Sequence, residues 1–162
     1  MPTAERARVQ SELVARARSI APLIRAHADE SERLRRLATP VVDAFHEAGL
    51  FRMLQPTSIG GSGLNAIDAV PILEEVAAAD GAAGWNLAIG AGNSAFLALL
   101  EDRGALEALV KPPRALGAGS VNPTSLRLTS VPGGYRVAGT LRFASGIHQS
   151  TWLVAGGLVG RL

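Results

Sequence analysis

Trp85 and Asn93 lie about two helical turns apart on the stretch "GAAGWNLAIGAGNSAFLALL" (81–100), which carries no charge. On an otherwise apolar helix, an aromatic ring offers a ligand a flat face and an amide offers it a polar contact. The same pair suits a packed core, with the ring buried and the amide hydrogen-bonded, and spacing alone leaves both readings open. Glu74, Glu75 and Asp80 supply carboxylates, but adjacent helical side chains diverge by about 100° and do not converge on a proton in transit. His27 and His46 fall within helical patterns and His148 in a turn, without the paired spacing of metal ligands. The Gly-rich runs "IGGSGLN" and "GAGSVNP" lack phosphate-cradling spacing, and there is no Gly-Lys-Ser/Thr, H-E-x-x-H or G-x-S-x-G. Absence of Cys excludes a thiolate nucleophile and a disulfide framework.

The elements that must position these residues follow from periodicity. Val9, Leu13, Ala17, Ile20 and Ile24 recur at helical spacing, with Pro22 expected to kink or divide that helix. Thr39 and Pro40 read as an N-cap and first helical residue of a short helix through Val42, Phe45 and Ala48, closed by Gly49. The segment 54–65 is loop chemistry. A third helix should point Ile67, Val70, Leu73, Val76 and Ala77 inward and break at Asp80-Gly81. The uncharged 81–100 window is long enough to span a bilayer. Its glycines, Asn86, Asn93 and Ser94, and the lack of a flanking basic cluster, favour a buried central helix instead. A short helix at 105–110 ends at Pro112-Pro113.

After Arg114 the pattern turns to strands: "ALGAGSV", "SLRLTSV", "YRVAGTLRF" and "TWLVAGGLVG", with "VPGGY" as a hairpin turn. The expected fold class is α+β, an N-terminal α-helical domain over 1–113 followed by a partial β domain over 114–162 with antiparallel, barrel-like pairing. About four strands form too small a sheet to protect its edges, which suggests part of a larger protein.

The 162 residues suffice for a real core, and 48% apolar with 19% charged residues is the composition of a soluble globular chain. The net charge is only +2; the basic pI reflects Arg in place of Lys, interleaved with Asp and Glu. No RNA- or DNA-binding signature is present, so nucleic acid is not an expected partner. The N-terminus has no apolar signal region, and a cytoplasmic location is expected.

The stretch "GGYRVAGTLRFASGIHQSTWLVAG" (133–156) resembles the middle-domain segment of the acyl-CoA dehydrogenase superfamily through Gly134-Tyr135, Gly139, Phe143-Ala144-Ser145-Gly146 and Trp152. "VVDAFHEAGLFRMLQPTSIGG" and "EEVAAADGAAGWN" resemble its second helix and its third and fourth helices, so the likeness covers most of residues 10–160. "F-A-S-G" and the Gly84-Trp85 pair are closer to the flavin-dependent monooxygenase branch, the oxygenase components of two-component hydroxylases. The resemblance implies a flavin cofactor (FMN, FADH2 or FAD) and a small, aromatic substrate. It also implies a flavin reductase partner and a homo-tetramer in the full-length family. It implies Ser145 as the catalytic donor at the flavin N5 and O4 edge, with Phe143, Ala144, Ser120 and Asn122 as cofactor contacts. Trp85, Asn93 and Ser120 are the implied substrate contacts. Asn93 stands where some aromatic hydroxylases have His, and "GAGSVNPTS" lacks the Glu-Pro and Gly-Ser-Asp of true dehydrogenases. An acyl-CoA dehydrogenase and a truncated non-catalytic fragment remain alternatives. The family's C-terminal four-helix bundle is not in the sequence.

Overall fold

The computed structural model describes residues 2–120 and 122–160. Val121 in "GAGSVNP", and Arg161 and Leu162 at the end of the expected β domain, lie outside the described residues.

Helix α1 (Thr3–Ala26) runs unbroken through Pro22, so the expected division there does not occur. The chain breaks instead at His27, whose φ of −108° and ψ of 9° are not helical, before α2 (Ala28–Leu34) begins. Leu13, Ala17, Ala21 and Ile24 are buried along α1, with Val9 and Ile20 packed at the margin of the same core. This is the stripe that the periodicity demanded.

Helix α3 (Thr39–Glu47) starts one residue earlier than expected: Thr39 is its first residue, and Ala38 is the N-cap and makes no side-chain bond. Gly49 follows in the left-handed region at φ 73°, with its N–H donating to His46 O at 3.0 Å. Short 3-10 turns at Leu50–Arg52 and Thr57–Ile59 carry the loop to α4 (Ala66–Ala77). Asn65 and Asp68 close the start of α4 as a reciprocal capping box.

The inward face of α4 is Ala69, Ile72 and Val76, not the expected set; Ile67 and Val70 are 81% and 47% exposed. Two apolar faces compete on this helix, and the one that meets α1 and α5 wins.

Helix α5 (Gly81–Phe96) is central but buried on one face only, through Ala83, Leu87, Ala91 and their neighbours. A Cβ on Gly84 would come within 2.6 Å of Ala77 Cβ, so the small residue permits the close approach of α4 and α5. No helix among the described residues is long and apolar enough to cross a membrane. Asp102 caps α6 (Arg103–Val110), which ends before Pro112 as expected.

Among the described residues five strands follow: β1 (Gly117–Ser120), β2 (Leu126–Val131), β3 (Gly134–Gly139), β4 (Trp152–Ala155) and β5 (Leu158–Gly160). The helical domain followed by a strand region is as expected, but the pairing is not uniformly antiparallel. β2 and β3 form the antiparallel hairpin, whereas β1 pairs with β4 and β2 with β5 in parallel. Parallel neighbours need a long connection. Here the hairpin itself, with the segment after it, serves as the crossover from β1 to β4.

Candidate functional site

Trp85 sits on the face of α5 turned away from the core and is 59% exposed. Its indole N–H donates to the Ser145 hydroxyl oxygen at 3.0 Å. One residue on, Asn86 accepts at Oδ1 from the Gln149 side-chain amide at 3.1 Å and donates from Nδ2 to Ala82 O at 2.9 Å. Consecutive residues of one helical turn thus grip the segment between β3 and β4 at two points. The segment is shaped by Gly146 at φ 80° and by a 3-10 turn at Ile147–Gln149.

This grip determines what Ser145 can offer. An indole N–H only donates, and a hydroxyl has one proton and two acceptor sites. Ser145 Oγ therefore accepts from Trp85, and its own O–H has no acceptor among the described residues. Ser145 is a hydrogen-bond donor held in place by a second donor.

Phe143 is 92% exposed, and its φ of 60° places a bulky residue in the left-handed region. Such backbone costs on the order of 1–3 kcal/mol and persists where its surroundings fix it. Phe143, Ala144 and Ser145 face Asn86, Arg35, Arg36, His148 and Gln149 across a cleft of about 320 Å³. Among the described residues no carboxylate lines it.

The other expected site residues are not brought to this cleft. Asn93 is 8% exposed, and its amide donates to Gly117 O at 3.3 Å, tying α5 to β1. Its polar group is committed to the backbone, the core reading that the sequence left open. Ser120 closes β1, where its carbonyl accepts from Gly156 N at 3.1 Å. Asn122 Oδ1 accepts from both the backbone N–H and the hydroxyl of Thr124, capping a short turn. Trp152 lays its ring against Gly117, where a Cβ would come within 2.3 Å of it, and its buried indole N–H has no partner among the described residues.

Sequence reasoning missed Asn86, Gln149, Arg35 and Arg36. Asn86 and Gln149 are uninformative singly, because their meaning arises only when α5 and the 143–149 segment meet. The arginine pair was visible as a doublet after α2 but resembled the other exposed basic residues.

A second cleft, of about 290 Å³, shares Arg36, His148 and Gln149 and extends to Asp43, His46 and Arg114. Arg114 pairs with Asp43, joining the strand region to α3. His46 lies against Phe51 with ring centroids 4.9 Å apart. Burial, assisted by Arg114 and Arg52 against the opposing pull of Asp43, pushes its pKa down to about 4. It is a neutral imidazole at neutral pH.

Residues 7–108 match the family described as acyl-CoA dehydrogenase, N-terminal domain. The chain is 29% identical over 140 residues to the oxygenase component of an FADH2-dependent resorcinol hydroxylase from Rhizobium sp. (strain MTP-10005), covering 86% of this chain and 34% of that protein. It is similar to the crystal structure of 3-HSA hydroxylase from Rhodococcus sp. RHA1, at 30% identity and TM-score 0.86, over 93% of this chain and 39% of that one. XiaF from Streptomyces sp., solved in complex with FADH2 and glycerol, shares the fold with TM-score 0.90 at 24% identity, over 98% of this chain and 40% of that one. The chain spans between a third and two fifths of the length of these proteins.

Proposed function

Since the chain belongs to the acyl-CoA dehydrogenase family through its N-terminal domain, we propose that it is the N-terminal part of a flavin-dependent monooxygenase that uses reduced flavin on a small aromatic substrate. The observation that carries this reading is the Trp85–Ser145 hydrogen bond, which holds Ser145 Oγ and leaves its O–H to donate at the rim of a cleft beside an exposed aromatic. A reduced flavin would supply the electrons for oxygen activation. The residues present suit its edge: a donor without a protein acceptor, a ring-sized apolar surface, and no carboxylate to repel negative charge.

Ser145 would donate a hydrogen bond to the polar edge of the flavin, which would favour the charged, reduced form. Phe143 and Ala144, which line the cleft, would supply apolar surface to the ring and exclude water from it. Trp85 is a positioning residue, because it orients the Ser145 proton instead of lining the substrate pocket alone. Asn93 holds the wall of α5 against β1. Ser120 and Asn122 are assigned to the neighbouring side of the cofactor as backbone-positioning residues of β1 and the turn after it. In this reading residues 1–113 form the helical domain and 114–162 carry the flavin-edge strands. A flavin reductase component supplies the reduced cofactor, and the assembly is a homo-tetramer.

The test is anaerobic titration of the chain with reduced FMN and FADH2, and aerobic titration with the oxidised forms, followed by flavin fluorescence and visible spectrum. Saturable binding, weakened about tenfold in Ser145→Ala by loss of a hydrogen bond to a charged group, is the expected result. Absence of saturable binding by either flavin overturns the reading. Reduction of bound flavin by an acyl-CoA without oxygen uptake would replace it with dehydrogenase chemistry.

A further inference from the structure

Arg35 and Arg36 close α2 within the charged run "ESERLRR", which by itself reads as a solvated helix end. The structure gives them a different setting. Arg35 adopts a left-handed backbone, φ 52° and ψ 33°, uncommon for a residue other than glycine. The chain turns at that point, and the Arg36 N–H donates to Ser31 O at 3.2 Å. After this turn both arginines line the Ser145 cleft.

The charges around them are uneven. Arg6, Arg18 and Arg114 are each paired with a carboxylate, on Asp68, Glu75 and Asp43 respectively. Neither Arg35 nor Arg36 has an ion-pair partner among the described residues. The remaining polar lining of the cleft, Asn86, Ser145, His148 and Gln149, carries no acidic group and is rich in donors. Asp29, Glu32 and Asp80 line an adjoining cleft that shares the same arginines, but the Ser145 cleft itself presents two guanidinium groups and, among the described residues, no carboxylate, which biases its local potential toward anions. Each presents the planar fork of N–H groups that fits phosphate or carboxylate oxygens in pairs.

We propose that this cleft contains an anion subsite, in which Arg35 and Arg36 hold a phosphate or carboxylate of a ligand whose aromatic part lies along Phe143–Ser145. The ligand class is a planar aromatic bearing one anionic substituent. Its source is either a flavin phosphate or the carboxylate of an aromatic acid. The flavin source rests on the function proposed above, whereas the anion subsite itself does not.

The experiment compares charged and neutral ligands of the same ring. The intact chain is titrated with FMN and riboflavin, and separately with benzoate and benzyl alcohol, with inorganic phosphate as competitor and at low and high KCl. The proteins are the wild type, Arg35→Gln, Arg36→Gln, the double variant, and Arg33→Gln as a control on the same helix that lines no cleft described here. Circular dichroism checks that each variant remains folded.

The expected result is that the anionic member of one pair binds at least about tenfold more tightly than its neutral partner, as for a charge-assisted, paired hydrogen bond. That preference falls with KCl, is competed by phosphate, and disappears in the double variant but not in Arg33→Gln. Preference for FMN identifies the flavin phosphate as the source; preference for benzoate identifies an aromatic acid. If riboflavin binds as well as FMN, benzoate shows no preference and the arginine variants bind like the wild type, the subsite is overturned while the flavin reading stands. If benzoate alone binds and depends on the arginines, the subsite stands and the flavin reading falls. Failure of every ligand overturns both.

Discussion

The helical core and the 143–149 segment are opposite solutions to the placement of apolar side chains. Around α3, Phe45 is fully buried and meets Phe51 edge-on with ring centroids 5.4 Å apart. Across the molecule, Phe143 projects almost wholly into solvent from a backbone conformation that costs energy. The first phenylalanine stabilises the fold and nothing else in the structure depends on its chemistry. The second contributes nothing to the core, yet the segment that carries it is held by two side-chain ties from α5, at Ser145 and Gln149. Stability resides in the helices, and the proposed recognition segment is one that the helices position.

The largest effect that could break this contrast is expected at the phenylalanines themselves. Phe45→Ala should lower the unfolding free energy by about 3–5 kcal/mol, whereas Phe143→Ala should change it by less than about 0.5 kcal/mol. Chemical denaturation of both variants measures the difference; comparable losses would remove the distinction between the two regions. Next in size, Gly84→Leu should cost about 1–3 kcal/mol by overpacking the α4–α5 approach, and a denaturation midpoint equal to the wild type would show that the contact can relax.

A further effect is in pH. His46 titrates near 6.5 when unfolded and at about 4 in the fold. Between those values the unfolded chain binds a proton that the native state refuses, so stability falls as pH falls from 6.5 toward 4. Above 6.5 the residue contributes no slope. Its charged neighbours are Asp43, Arg52 and Arg114, with Arg36 and His148 lining the same cleft. Denaturation midpoints measured across this window should decline less steeply in His46→Gln; identical slopes would contradict the burial of a neutral imidazole.

Local signals made much of the fold legible. The α1 stripe, Gly49 after α3, the 54–65 loop and the stop before Pro112 all depend on neighbours within a turn or two. The face of α4 was not legible because Ile67 and Val70 are as apolar as Ile72 and Val76, and only the positions of α1 and α5 decide between them. The parallel pairing of β1 with β4 was equally hidden, since it depends on where the hairpin between them sits. For the site, Phe143, Ala144 and Ser145 were found as a family motif, but their partners Trp85, Asn86 and Gln149 are joined across the sequence by tertiary contact. The sequence placed Trp85 and Asn93 together as a possible ligand wall; in the fold one bonds to the Ser145 hydroxyl and the other to the Gly117 carbonyl.

The central claim is that Trp85 acts through Ser145. A double-mutant cycle of Trp85→Phe and Ser145→Ala, read as the dissociation constant for reduced FMN, tests it directly. Trp85→Phe keeps the ring but removes the donor, and should weaken binding by about the same tenfold as Ser145→Ala. The two substitutions together should then do no more than either alone. Full additivity, or wild-type affinity in Trp85→Phe, would contradict the account.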